Sequence, residues 1–395
     1  MIGRRGIEVS LAVAEAAKLC RVEVVSAYPI TPQTHIVEHL SELVAEGELD
    51  ASFITVESEH SAMSACVGAA AAGARTFTST SSQGLELMHE ILFIASGLRL
   101  PIVMAGANRA LSAPLNIWND HSDVMAARDS GWIMLFCTNG QESLDSIIMA
   151  YRIAEDRRVL MPVMVNIDGF TLTHVVEPVE FPSQEAVDAF LPPYSPVYTL
   201  HPDKPVTMGA YGIPEIYTES KFAQEMAMNK SKDVIIEVLD EFGKQFGRSY
   251  KAVETYELED ADVVFIALGA INENIMTAID EMRTRGKKAG LVNLRLYRPF
   301  PAEELLAVLK GKKRIAIVER VMPGGALNSP MYNEITSLAY RAGLDTLIKN
   351  YVIALGGRDA LQTDFYRIFD DMLSAGAKDK MIQKGLNFAM IGVRE

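Results

Sequence analysis

Three short stretches of this sequence place hydroxyl, carboxylate and guanidinium groups where open α/β sheets bind small molecules. The first is Tyr28-Pro29-Ile30-Thr31-Pro32, directly after an apolar run. Thr31 followed by Pro32 reads as a helix start, a hydroxyl N-cap with proline at the first helical position, and that role alone would account for both residues. The same helix N-terminus would favour an anionic group such as a carboxylate. The second stretch is Glu57-Ser58-Glu59-His60. Glutamates that open a helix often serve only as partners of its dipole. A glutamate at a strand end against an apolar wall can instead exchange protons with a heterocycle. The third runs from Asn108-Arg109 to Asp120-His121-Ser122-Asp123. Arg109 either pairs with Asp120 or Asp123, or is free to bind a carboxylate through both its nitrogens. His121 lies between two aspartates without a second histidine, so no metal site is expected on this chain.

The elements that must carry these groups follow from periodicity. Residues 22–27, 53–56, 76–79, 101–105, 132–136 and 161–167 are apolar, strand-like runs. Between them, residues 58–74, 84–96 and 141–155 have helical spacing. Strands alternating with helices imply βαβ units and a doubly wound parallel sheet. Ligands bind such sheets at the carboxyl ends of the strands. All three stretches leave strand ends on one edge, and they are expected to come from successive strands. In the helix over 58–74 a small face, Ala62, Ala65, Ala69 and Ala72, permits close approach of another layer.

Residues 180–215 break the rhythm, with prolines every few positions that favour irregular, extended backbone. An excursion of this length is usually functional or packs on a partner. A helix over 217–246 returns the chain to a second α/β series: strands at 262–268, 290–294, 314–318 and 350–355, and helices at 273–285, 301–309 and 329–342. The expected division is a first domain over 1–245, containing the excursion, and a smaller one over 250–395.

Composition excludes several classes. A net charge of −14 opposes a nucleic-acid surface. No run of about 18 apolar residues is present, so no membrane span is expected. Glu8 and Glu15 interrupt the N-terminal segment, which reads as a mature cytoplasmic start. Cys20, Cys66 and Cys137 lie far apart with no CxxC pair, so they are expected to be buried reduced thiols and no iron–sulfur or zinc framework.

YPITP, ESEHSAM, TSTSSQGLELMHE and NRALSAPLNIWNDHSDVMAARDSGW resemble the α subunit of the 2-oxoacid:ferredoxin oxidoreductases, most closely the pyruvate-type members. LVNLRLYRPFP (291–301) and ALGGRD (354–359) resemble that subunit's second domain, so the likeness runs in order along nearly the whole chain. The resemblance implies a pyrimidine-type thiamine-diphosphate-binding domain followed by a transketolase C-terminal-like α/β domain. It implies the reversible conversion of pyruvate, coenzyme A and oxidised ferredoxin to acetyl-CoA, CO2 and reduced ferredoxin. By this resemblance Glu59 is the glutamate that hydrogen-bonds N1′ of the aminopyrimidine, whose imino nitrogen removes the thiazolium proton. Thr31 and Arg109 correspond to the residues beside the substrate, and Pro29 and Ile30 help wall the cofactor. Glu57 does not occupy the matching position.

The family's GDG…NN pyrophosphate motif is missing: only Asp168-Gly169 stands here, with no NN. Mg2+ and the clusters are therefore expected on partners, namely a β subunit that shares the coenzyme, a γ subunit and a ferredoxin-like δ subunit. Alternative readings are another 2-oxoacid (2-oxoisovalerate, 2-oxoglutarate or an aryl glyoxylate), a ferredoxin-independent thiamine-dependent transferase half, and a non-catalytic scaffold.

Overall fold

The alternating pattern folds into two mainly parallel sheets and a small ribbon in the computed structural model, which describes residues 3–374 and 382–394. The first half comprises β1 (Gly3–Glu8), α1 (Val9–Leu19), β2 (Val24–Ser26), α2 (Thr34–Ala45), β3 (Ser52–Ile54), α3 (Glu59–Ala71), β4 (Thr76–Thr80) and α4 (Ser82–Gly97). It continues with β5 (Val103–Asn108), α5 (Ser122–Ala126), β6 (Ile133–Phe136), α6 (Gly140–Ala154), β7 (Val163–Asp168), β8 (Val176–Phe181), α7 (Gln184–Phe190) and α8 (Pro214–Phe246). The second half starts with β9 (Val253–Tyr256), β10 (Val263–Ala267), α9 (Ile271–Thr284), β11 (Ala289–Leu294), β12 (Leu296–Arg298) and α10 (Ala302–Leu309). It ends with β13 (Arg314–Glu319), α11 (Pro330–Arg341), β14 (Leu347–Val352), α12 (Gln362–Leu373) and β15 (Ala389–Met390).

Among the described residues the first sheet has the order β12-β6-β7-β5-β4-β2-β3. Its strands β2 to β7 pair in parallel. β12 comes from the second half of the chain yet lies antiparallel to β6. The second sheet has the order β15-β14-β13-β10-β11-β9, with β9 antiparallel on β11. β1 and β8 form a separate antiparallel ribbon.

Local chemistry sets the helix starts. Ser58, Asn139 and Ser183 cap α3, α6 and α7 by accepting the N–H of Ser61, Glu142 and Ala186. α3 buries Ala62, Met63, Cys66, Ala70 and Ala71, a face rotated from the alanine stripe expected from the sequence, because Met63 and Cys66 supply the larger apolar contact. The proline-rich excursion also differs from expectation. It contains α7, and only the stretch after α7 is irregular. That irregular part closes over an apolar cavity of about 710 Å³ lined by Leu98, Pro101, Leu160, Tyr194 and Val197, at the amino edge of the first sheet. No helix among the described residues is long and apolar enough to cross a membrane.

The two sheets share a core. Met104, Met134, Phe136 and Met164 of the first pack in one apolar cluster with Val264, Ile266, Val292 and Ile317 of the second. Each such buried side chain contributes roughly 1.5–3 kcal/mol. At the rim of that contact sits a buried ionic joint. Asp168, at the end of β7, accepts from Arg320 Nη1 (2.9 Å) and the backbone N–H of Ala270 (3.0 Å), and pairs with His121 Nε2 (2.8 Å). Burial alone would raise this carboxyl, but the adjacent His121 and Arg320 outweigh it and hold it at about 2. Its pKa is thus below the ordinary value near 3.9, so its stabilising contribution is complete above that value and fades as pH falls toward 2. Asp168→Asn leaves Arg320 buried and uncompensated. It is expected to cost about 3–5 kcal/mol at pH 7. Urea unfolding of the wild type and variant should show this difference at pH 7 and a smaller one below pH 4.

Candidate functional site

The carboxyl ends of β5, β4, β2 and β3 stand side by side in that order. Arg109 follows β5, Thr31 follows β2 and Glu59 follows β3. The three do not come from successive strands, because β4 lies between the arginine's strand and the threonine's. The end of β4 brings Thr80, Ser81 and Ser82 into the same rim, which sequence reasoning did not assign. Their only signal was an unusual run of hydroxyls in a strand.

Thr31 does not cap a helix. Residues 30–33 form a separate turn, closed by Gln33 N–H on the Ile30 carbonyl (2.9 Å), and α2 begins only at Thr34. The cause is Gln33, which is fully buried and turned inward. Its Nε2 donates to the carbonyls of Tyr28 (2.8 Å) and Ser79 (3.0 Å), stapling the turn to β4. Pro29 is exposed, and Ile30 and Thr31 are half-buried on the open side.

Burial separates the two glutamates. Glu57 is exposed, whereas Glu59, in the first turn of α3, is only 6% exposed. The Glu59 carboxylate has neither a hydrogen bond nor an ion pair among the described residues. Space for it exists because position 84 is glycine: a Cβ there would lie 2.6 Å from both Glu59 Oε1 and Thr80 Oγ1. The hydroxyls of Ser79, Thr80 and Ser81 are buried without partners among the described residues.

Arg109 is 7% exposed. Its Nη1 donates to the Thr31 carbonyl (2.9 Å) and its Nε to the Asn116 carbonyl (2.8 Å). The side chain thus pairs with neither Asp120 nor Asp123. Those carboxylates serve the backbone instead: Asp123 accepts from the N–H groups of Ser82, Arg109 and Val124, and Asp120 from those of Ser122 and Gly356. Burial lowers the pKa of the Arg109 guanidinium from its ordinary value, and nearby Asp123 opposes that shift. Nη2 carries no hydrogen bond among the described residues and remains available to an anion.

The second half of the chain fixes the Arg109 loop. Asn116 Nδ2 donates to the Gly356 carbonyl (3.0 Å), and Gly357 N–H to the Asn119 carbonyl (2.7 Å). Gly357 has φ +79°, and a side chain there would run into Trp118. The turn Leu355–Gly357 thereby sets Asn116, which sets Arg109, which meets Thr31. Around this rim Tyr28, Leu115 and Trp118 are 37%, 78% and 51% exposed, an apolar border on one side of the cleft. Cys20, Cys66 and Cys137 are buried, and burial pushes the thiols of Cys66 and Cys137 up to about 12, as expected of unreactive core thiols.

Residues 15–240 match the family described as pyruvate flavodoxin/ferredoxin oxidoreductase, thiamine diphosphate-binding. The chain belongs to this family. Residues 261–365 match the pyruvate:ferredoxin oxidoreductase core domain II. Among relatives, the pyruvate synthase subunit PorA of Methanothermobacter thermautotrophicus is 51% identical over 89% of this chain and 91% of its own. That of Methanocaldococcus jannaschii is 52% identical over 92% and 93%. The ketoisovalerate oxidoreductase subunit VorA of Pyrococcus horikoshii is 44% identical over 94% and 95%. A solved 2-oxoglutarate:ferredoxin oxidoreductase from Magnetococcus marinus shares the fold, with a TM-score of 0.67 at 20% identity over 93% of this chain. This family member spans 65% of that longer chain.

Gly84→Ala forces a methyl against the Glu59 carboxylate. Overpacking of this kind costs about 1–3 kcal/mol. Turnover by the assembled enzyme should fall by roughly 10- to 100-fold, with the unfolding midpoint reported alongside. Unchanged turnover would show that the carboxylate's position does not matter.

Proposed function

We propose that this chain is the α-type subunit of a pyruvate:ferredoxin oxidoreductase. With its partners it would convert pyruvate, coenzyme A and oxidised ferredoxin to acetyl-CoA, CO2 and reduced ferredoxin, reversibly. The observation that carries this reading is the buried, unpartnered Glu59 carboxylate in a rim shared with the linked Thr31–Arg109 pair. An isolated buried carboxylate is costly unless something donates to it. The protonated ring nitrogen of an aminopyrimidine is such a donor, so these residues fit thiamine diphosphate. When bound, that coenzyme supplies the acidic carbon that adds to a 2-oxoacid carbonyl and takes up the electrons released with CO2.

Each residue of the cleft has a role in this reading. Glu59 holds a proton at the pyrimidine ring nitrogen. Thr31 offers a hydroxyl, and Arg109 the free Nη2, to the substrate carboxylate. Pro29 and Ile30 wall the open side of the turn, and Gln33 keeps that turn in register with β4. Because the described residues bring one cation, Arg109, and a small hydroxyl, Thr31, to the cleft, a substrate with one carboxylate suits it better than a dicarboxylate.

The same geometry favours a divided enzyme. Asp168, the aspartate of the chain's one Asp-Gly pair, is committed to Arg320, His121 and Ala270 rather than to a metal–pyrophosphate group. The cysteines are buried in separate places. Mg2+, the pyrophosphate contacts and the iron–sulfur clusters then belong to partner chains: a β subunit closing the cleft, a γ subunit and a ferredoxin-like δ subunit. A cytoplasmic location, and structural units over 1–245 and 250–395, are part of this proposal. One observation favours a second reading for the substrate. The Pyrococcus horikoshii relative named for pyruvate is 47% identical and that named for ketoisovalerate 44%, too small a gap to fix the 2-oxoacid.

Anaerobic purification of the complex, followed by assays of pyruvate, 2-oxoisovalerate and 2-oxoglutarate with coenzyme A and a one-electron dye, tests both readings. Pyruvate should give the highest kcat/KM, and Glu59→Gln should reduce turnover by about 100-fold or more. Full activity in Glu59→Gln would remove the coenzyme role and leave the chain a scaffold.

A further inference from the structure

Beside the Thr31 turn three side chains converge to which the proposed reaction gives no role. Glu8 ends β1, His35 lies in the first turn of α2, and His174 stands between β7 and β8. One ligand-type atom from each lies within 4.8 Å of the other two. His35 Nδ1 is 2.6 Å from Glu8 Oε1, and the two imidazoles face each other with centroids 4.5 Å apart at 33°. All three are half-buried, reachable from solvent but held by the fold.

We propose that Glu8, His35 and His174 form a binding site for a zinc-type divalent transition metal. Two imidazoles and one carboxylate are the donor set that borderline metals take, whereas Mg2+ and Ca2+ prefer all-oxygen sets. Three protein ligands leave a fourth tetrahedral position to water. Metal–ligand bonds of about 2.0–2.2 Å would bring the ligand atoms to roughly 3.3 Å apart. The His35–Glu8 pair, now at 2.6 Å, would open as the metal replaces its shared proton, and the wider separations, within 4.8 Å, would close by small side-chain movements on a fixed backbone.

The backbone around the site is held independently. Thr173 Oγ1 lies 2.8 Å from His174 Nδ1 and also accepts the Phe170 N–H at 2.8 Å. If Nε2 is the ligand atom, the Thr173 hydroxyl on Nδ1 is the outer-shell arrangement that orients metal-binding histidines. The Thr173 carbonyl in turn accepts from the Ser10 hydroxyl (2.8 Å) and backbone N–H (3.0 Å), which locks the 170–174 turn to α1. A metal here would tie the β1–β8 ribbon to the first turn of α2, close after Thr31, and so brace the turn that carries Thr31. Its affinity falls with acidification, because protons compete for the imidazoles and the carboxylate.

The test uses the full chain in the complex with which it purifies, stripped with a chelator under anaerobic conditions and titrated with Zn2+ alone. Bound zinc is measured by elemental analysis and its ligands by zinc K-edge absorption. Wild type should bind one zinc per chain more than the His35→Ala/His174→Ala double variant and show imidazole scattering. Glu8→Gln should weaken that zinc, and Thr173→Val should do so by about 10- to 100-fold. Equal zinc content in wild type and double variant overturns the proposal. Should the double variant fail to assemble, the wild-type spectrum decides by itself: imidazole scattering that Thr173→Val weakens supports the site, and a shell without imidazole rejects it.

Discussion

The carboxylate of Asp168 is the point from which both halves of the molecule are aligned. It ends β7 in the first sheet, yet its partners are the first backbone N–H before α9 and the Arg320 guanidinium after β13, both in the second half. An apolar contact alone tolerates sliding, because dispersion and hydrophobic burial are non-directional. A buried carboxylate with one backbone donor, one guanidinium and one imidazole does not. Satisfied as it is here, the joint supplies direction to a contact whose strength comes from the shared apolar core. Register at this point then passes outward through His121, whose own N–H donates to the Arg320 carbonyl at 2.8 Å, to the loop that carries Asn116 and Asn119.

Much of this was legible in the sequence. Strand and helix alternation marked nearly every parallel strand, because buried parallel strands are uninterrupted apolar runs and the helices between them are amphipathic. Thr31, the Glu57/Glu59 pair and Arg109 stood out by their places just after strands, and the resemblance, not position, singled out Glu59. The missing GDG…NN and CxxC patterns led to the expectation that partner chains supply those groups.

What was not legible depends on contacts between residues far apart in sequence. Gln33 looks like an ordinary first-turn residue, and only its two hydrogen bonds to Tyr28 and Ser79 explain why the helix starts late. Gly84 has no local reason to be glycine; its reason is Glu59, on a different helix. β12 is three residues long, too short for periodicity to mark, and its pairing with β6 rests on the docking of the two halves. The strand order, with β4 inserted between β2 and β5, is likewise a property of crossover connections that no local pattern encodes.

The chain of contacts from the Leu355–Gly357 turn through Asn116 to Arg109 has an evolutionary consequence. Residues that never meet a substrate set the reach of the cation that would grip it. Relatives turning over different 2-oxoacids therefore need not differ in the cleft's own side chains. On the proposed reading, a change of tilt in that remote glycine turn would retune the grip, so divergence in specificity is to be sought there as well as in the pocket.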